Sequence, residues 1–138
     1  MMEAIQRVRA YMTTSPLTIT PELSVADATE RMFANKIRHL PVVEGDRLVG
    51  LVTERDLALV DALTDRQRQR MTVRQIMRTT PYVCHPDEPI REVVKVMVQQ
   101  KLGSVVCMEG GKIVGVFPTI DAMRRLVELC QMVELLGA

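Results

Sequence analysis

Tryptophan is absent from this chain, and two Tyr and two Phe are its whole remaining aromatic content. A platform that stacks single-stranded bases needs aromatic side chains in number, so that class of function is excluded. An excess of one charge is missing too: 18 basic and 17 acidic side chains leave a net charge of +1. This balance argues against a protein that neutralises a phosphate backbone in bulk, although Arg66 to Arg74 and Arg124-Arg125 gather some basic residues. No apolar run approaches the ~20 residues that a membrane span needs. Met1 to Ala10 is too polar and charged for a signal peptide. Cysteine is scarce: Cys84, Cys107 and Cys130 are odd in number and form no Cys-x-x-Cys, so reduced, buried thiols of a cytoplasmic protein are expected. The histidines His39 and His85 are too few and too unaccompanied to suggest a metal site. Enzyme chemistry is not expected either, because no nucleophile–base pair, metal cluster or glycine-rich phosphate loop with Lys is present.

What is present is repetition. Val8 to Asp56 matches Val73 to Asp121 without a gap, at a spacing of 65 residues. Val8-Arg9 falls on Val73-Arg74, Met12 on Met77, Pro16 on Pro81, Pro21 on Pro86, Met32 on Met97, Lys36 on Lys101 and Val49-Gly50 on Val114-Gly115. A fixed internal period of this kind means two copies of one structural unit.

In the first copy, Val8 to Met12 is a helical lead-in ended by Pro16, and Leu17 to Thr20 is a short strand. Ser24 is a natural N-cap with Asp27 three residues on; Val25, Ala28, Met32 and Phe33 then recur at helical spacing to about Asn35. Leu40 to Val43 and Arg47 to Val52 form a hairpin over Glu44-Gly45-Asp46, and Asp56 to Leu63 is a second helix. The second copy repeats this with a stripe of Ile90, Val93, Val94, Met97 and Val98 and a hairpin of Val105–Met108 with Lys112–Phe117. Asp65 to Arg70 is a solvated connector.

The expected fold class is therefore α/β with mixed sheets, in two tandem β-α-β-β-α units. The first two strands of each unit are parallel through a right-handed crossover, and the second and third antiparallel. Such a unit cannot bury both sheet faces alone, so the two are expected to pack about a pseudo-two-fold axis. The boundaries expected are 8–64 for unit one, 65–72 for the connector and 73–136 for unit two. The long last helix, from about Thr119 to Leu136, is apolar on more than one face, from Met123 to Leu136, and this predicts a homodimer contact, the alternative being an extended monomer core.

Thr53 and Asp56 admit two readings. Spacing alone suggests a capping box. Alternatively, the Asp56 carboxylate, whose two oxygens can take two parallel donors, and the Thr53 hydroxyl bind a ligand. The two roles can coexist.

The series Met12-x-x-x-Pro16, the Val25-to-Phe33 helix, Ile37-Arg38-His39-Leu40-Pro41-Val42-Val43 and Gly50-Leu51-Val52-Thr53-Glu54-Arg55-Asp56 resembles a cystathionine-β-synthase (CBS) domain. Met77-x-x-x-Pro81 and Gly115-Val116-Phe117-Pro118-Thr119-Ile120-Asp121 supply the second copy, so Val8 to Asp121 resembles a tandem CBS pair, or Bateman module, of the stand-alone kind. The resemblance implies a regulatory module, not an enzyme. It implies binding of an adenine nucleotide or adenosyl compound (AMP, ADP, ATP or S-adenosylmethionine) in the cleft between the units, with no required cofactor. It also implies assembly into a disc-like homodimer, and a separate protein target is expected because the chain contains no output domain. The alternative is a purely structural interaction module without a nucleotide.

Carried over position by position, the resemblance implies a first site of Thr18 and Ile19 near the base, Leu40-Pro41 as an apolar wall, Arg38 and His39 toward a phosphate, Asp56 on both hydroxyls of a ribose diol and Thr53 near a phosphate. The second comprises Val83, Cys84 and Val105 as walls with Ser104, Thr119 and Asp121. Pro118 stands where Thr53 stands in the first copy, and Gly103-Ser104 replace Arg38-His39. Thr119 is expected to take over the cap, and the second site to be weaker or empty.

Overall fold

The structure, a computed structural model, describes residues 6–137. Met1 to Ile5, half of the stretch judged too polar for a signal peptide, lie outside the described residues. Two compact units are present, Pro16–Pro81 and a second made of residues 6–15 with 82–137. Each repeat's hairpin thus shares a unit with the lead-in segment of the other repeat.

In Pro16–Pro81, helix α1 spans Val25–Asn35. It begins where the sequence predicts: the Ser24 hydroxyl accepts the Asp27 N–H at 3.0 Å. It ends at Lys36, a non-glycine residue in the left-handed region (φ +53°), whose N–H closes on the last turn. Strands β2 (His39–Glu44) and β3 (Arg47–Thr53) pair antiparallel, with an irregularity between Val42 and Val43. The strand expected over Leu17–Thr20 is reduced to a single parallel bridge, Ile19 with Val42, because Pro16 and Pro21 bracket it. Arg78 supplies the opposite edge by bridging Leu51.

Two helices depart from expectation. Helix α2 spans Glu54–Ala58, starting earlier and ending sooner than Asp56 to Leu63. The charged connector is itself a helix, α3 (Asp65–Arg70), capped by Thr64 and Gln67 and without a buried residue.

The other unit opens with a 3₁₀ turn over Val8–Ala10 and strand β1 (Thr13–Thr14). Strands β4 (Val83–Cys84), β5 (Ser104–Glu109) and β6 (Lys112–Pro118) complete a sheet of order β1-β6-β5-β4. β4 is parallel to β5 and β5 antiparallel to β6, as the crossover argument requires. Helix α4 (Ile90–Gln100) makes that crossover, and α5 (Thr119–Leu135) follows β6.

The two cores match member for member. Val8, Cys84, Ile90, Val93, Met97, Val105, Cys107 and Phe117 form one; Val73, Ile19, Val25, Ala28, Met32, Leu40, Val42 and Val52 occupy the same places in the other, joined by Leu57 and Val60. Phe33 and Val98 were expected in the helix stripes, but they are 87% and 71% exposed, because they fall on the outer flank of α1 and α4. The cysteines divide as well. Cys84 and Cys107 are buried neighbours on parallel strands, whereas Cys130, expected to be buried, is exposed on α5.

Candidate functional site

The site in Pro16–Pro81 is built at the end of the β2–β3 hairpin. His39 pairs with Thr53 in the antiparallel register, so the two side chains stand side by side on one sheet face. The chain then turns into α2, where the Glu54 N–H bonds the Arg38 carbonyl at 2.9 Å. The capping box is formed in both directions: Thr53 Oγ1 accepts the Asp56 N–H at 3.2 Å, and Asp56 Oδ2 accepts the Thr53 N–H at 2.9 Å. This closes one carboxylate oxygen on the backbone. The other, Oδ1, faces the Arg78 Nε at 3.8 Å.

Arg78 was not anticipated, although a signal existed. It sits between Met77 and Thr79, where the first copy has Met12-Thr13-Thr14, so it is the odd residue in an otherwise matched phrase. Its backbone is pinned to Leu51 by reciprocal hydrogen bonds of 2.9 and 3.0 Å. The close approach requires Gly50, since a Cβ there would stand 2.9 Å from the Arg78 carbonyl oxygen and 2.6 Å from the Met77 sulfur.

Electrostatically, Arg38 and His39 differ. Arg38 is exposed and loosely paired with Glu54 at 3.7 Å. Burial first, and the Arg38 charge second, push the His39 imidazole below its ordinary pKa, so it serves as a neutral hydrogen-bonding group near pH 7. Its Nδ1 is buried and has no partner among the described residues, an atom that a ligand could satisfy.

Some expected contacts are redirected by strand alternation. Leu40 and Val105 are fully buried in the two cores, so their side chains face the helices instead of walling a site. Cys84 is a core residue as well. The Ile19 backbone is engaged by β2, its N–H on the Pro41 carbonyl (3.0 Å) and its carbonyl on the Val43 N–H (2.8 Å), which leaves the second lone pair of that carbonyl for a further donor. Thr18 and Pro41 keep positions flanking that bridge.

The equivalent place in the other unit is organised differently. Pro118 is the N-cap of α5 and makes no side-chain cap. Thr119 does not take over: it lies inside the helix, exposed, with its N–H on the Gly103 carbonyl at 2.9 Å. Since Pro118 lacks the N–H that Thr53 gives to Asp56, the Asp121 carboxylate turns elsewhere. Its Oδ2 accepts the Thr13 hydroxyl at 3.0 Å, and Arg124 stands 3.4 Å from Oδ1. Burial raises the Asp121 pKa above the usual carboxylate value, with the Thr13 hydrogen bond opposing. The Ser104 hydroxyl is buried without a partner among the described residues, and Val83 remains partly exposed.

Other charged clusters carry structure. Among the described residues, His85, Asp87 and Glu109 come close enough to share an ion, yet Arg9 donates to Asp87 at 3.0 Å and to Glu109 at 2.8 Å, filling the place of a cation. Arg68 pairs with Asp61 and Asp65, and Arg74 with Glu22 and Glu44, which neutralises part of the basic cluster from Arg66 to Arg74. No helix among the described residues is long and apolar enough to cross a membrane.

The family model for the CBS domain matches the chain twice, over residues 8–62 and 73–128. The chain belongs to the CBS domain family. As a tandem CBS pair it is 29% identical over 126 residues to inosine-5′-monophosphate dehydrogenase of Korarchaeum cryptofilum, covering 91% of this chain but 25% of that enzyme. It is 27% identical to the CBS domain-containing protein YhcV of Bacillus subtilis, covering 79% of this chain and 77% of that one. The chain spans about a quarter of the length of several curated relatives that it matches, enzymes among them. In structure the CBS pair resembles AcuB of Vibrio cholerae, at a TM-score of 0.80, 25% identity and coverage of 93% and 95% of the two chains. It shares its fold with a CBS domain pair crystallised with 5′-methylthioadenosine and S-adenosyl-L-methionine (TM-score 0.77, 24% identity, 87% and 98% covered). CBSX2, crystallised with AMP, has the same fold (TM-score 0.76, 23% identity, 89% and 97% covered).

Proposed function

We propose that this CBS pair is a regulatory module that binds an adenosyl ligand of the AMP, ADP, ATP or S-adenosylmethionine kind. Ligand binding changes its conformation or its dimer, and a separate protein partner reads the change. The observation that carries the reading is the Asp56 carboxylate, buried at 8% exposure yet with one oxygen free of the backbone. A ribose diol supplies the donors that such an oxygen lacks. His39 Nδ1 and the Thr53 hydroxyl stand on the same face to meet the rest of the ligand, with Arg38, Thr18 and Pro41 around them. Related folds that hold 5′-methylthioadenosine, S-adenosylmethionine and AMP support the ligand class. The repeat-two site, with Asp121 engaged by Thr13 and Arg124, is the weaker one. Catalysis forms no part of this reading.

A second reading is favoured by the completed capping box: Thr53 and Asp56 serve only to start α2, and the chain is an interaction module. Thermal melting against AMP, ADP, ATP, S-adenosylmethionine, NAD and cyclic dinucleotides separates the two. A ligand at a hundred times its Kd stabilises by about 2.7 kcal/mol, a shift of several degrees. Such a shift, lost in Asp56→Ala, is the expected result. No shift with any of them supports the interaction module.

A further inference from the structure

We infer that Arg78 selects a phosphorylated ligand for the repeat-one site, a role that Thr13, its neutral counterpart 65 positions earlier, does not play in the repeat-two site. This inference rests on the adenosyl reading above.

Positions 13 and 78 do the same structural work. Each forms the edge row of its own sheet, and each edge row presses against a glycine, Gly115 or Gly50, that leaves no room for a Cβ. Each side chain meets the aspartate of the helix that follows the hairpin: Thr13 Oγ1 lies 3.0 Å from Asp121, and Arg78 Nε 3.8 Å from Asp56. The backbone frames correspond, and the chemistry presented to the site differs. One position brings a neutral hydroxyl, the other a guanidinium.

The guanidinium is loosely held. At 3.8 Å the Asp56 contact is an ion pair without hydrogen-bond geometry, and it is the one salt bridge that Arg78 makes among the described residues. Its side chain is 54% exposed. Arg74, four residues away, is by contrast clamped at 2.6 Å by both Glu22 and Glu44. Arg78 is therefore a cation whose backbone is fixed by Leu51 while its head is free to change partner.

With the site empty, the guanidinium offsets the buried charge of Asp56. When a ribose diol donates to Asp56 Oδ1, the guanidinium is released to a phosphate, whose oxygens it can meet through two parallel N–H donors. A ribonucleoside without phosphate gives it no such partner, so the Asp56–Arg78 pair competes with binding. In the other unit, Asp121 has its oxygens on Thr13 and Arg124; its edge row brings no arginine, and the guanidinium that meets the carboxylate comes from the helix itself, three residues on, not from a position fixed to the sheet.

Calorimetric titration of the full chain with AMP and with adenosine tests the assignment, in wild type, Arg78→Thr and Arg78→Lys. Far-UV circular dichroism and melting serve as the check on folding. Arg78→Thr installs the residue of the matched position, and since position 78 is half exposed, the variant is expected to fold. Wild type should prefer AMP to adenosine, and Arg78→Thr should lose about tenfold or more in AMP affinity, a size typical of a charged hydrogen bond, while adenosine affinity holds or rises because the competing Asp56–Arg78 pair is gone. Arg78→Lys keeps the charge without the fork, and should fall between them. An unchanged AMP-to-adenosine ratio in a folded Arg78→Thr protein overturns the role of Arg78 alone. Wild-type protein that binds neither compound overturns the adenosyl reading and this inference with it.

Discussion

The Thr13 hydroxyl donates to the Asp121 carboxylate at 3.0 Å, across 108 positions of chain. Burial raises the pKa of that carboxylate from the ordinary Asp value of 3.8. A raised folded-state pKa means that the folded chain holds the proton more tightly than the unfolded chain. This contribution is complete below pH 3.8 and is lost as pH climbs from 3.8 through the folded value. Wild-type protein is therefore expected to lose stability relative to Asp121→Asn over that interval. Melting both proteins in steps from pH 3 to pH 7 checks it, and parallel curves would refute the burial argument.

Asp56 has a structural and a proposed binding role, and substitutions separate them. Asp56→Ala removes the side-chain acceptor of the Thr53 N–H and should cost about 1 kcal/mol, the usual worth of a helix-cap bond. Asp56→Asn retains an oxygen for that N–H and should keep most of the stability, while putting an NH2 donor where the diol needs the free carboxylate oxygen. Denaturant titration reads the first effect and ligand-induced melting shifts the second. Equal loss of both properties in the two variants would contradict the division.

Gly50→Ala should destabilise by about 1–3 kcal/mol through overpacking. The new Cβ would stand 2.9 Å from a backbone oxygen of the edge row, which cannot swing aside as the Met77 side chain can. The same holds for Gly115→Ala, where the Thr13 carbonyl oxygen lies at 3.0 Å. Chemical denaturation of either variant at wild-type midpoint would show that the edge rows move freely.

Helix α5 buries Asp121 and Arg125 yet exposes Met123, Leu126, Val127, Met132, Val133, Leu135 and Leu136. We read this face as the seat of a second copy of the chain. Sedimentation velocity at micromolar concentration should show a dimer, and Leu126→Glu with Val133→Glu should give a folded monomer. A monomeric wild type would remove the homodimer from the proposal.

The repeat, and through it the order of most strands and helices, is legible in the amino-acid pattern. The 65-residue register is a local pattern of apolar spacing, prolines and turn residues, and it placed α1, α4 and both hairpins within a residue or two. It also exposed the loss of the Thr53 hydroxyl at Pro118. Three things were decided by tertiary structure alone. The lead-in of each repeat closes the sheet of the other, so Val8 and Val73 exchange cores. Strand alternation sends Leu40 and Val105 inward, away from the site that the motif suggested. The edge rows set Arg78 beside Asp56 and Thr13 beside Asp121. No periodicity encodes such pairings, because they arise where two distant segments compete for one sheet edge. The physical reason is the need to satisfy that edge's backbone hydrogen bonds.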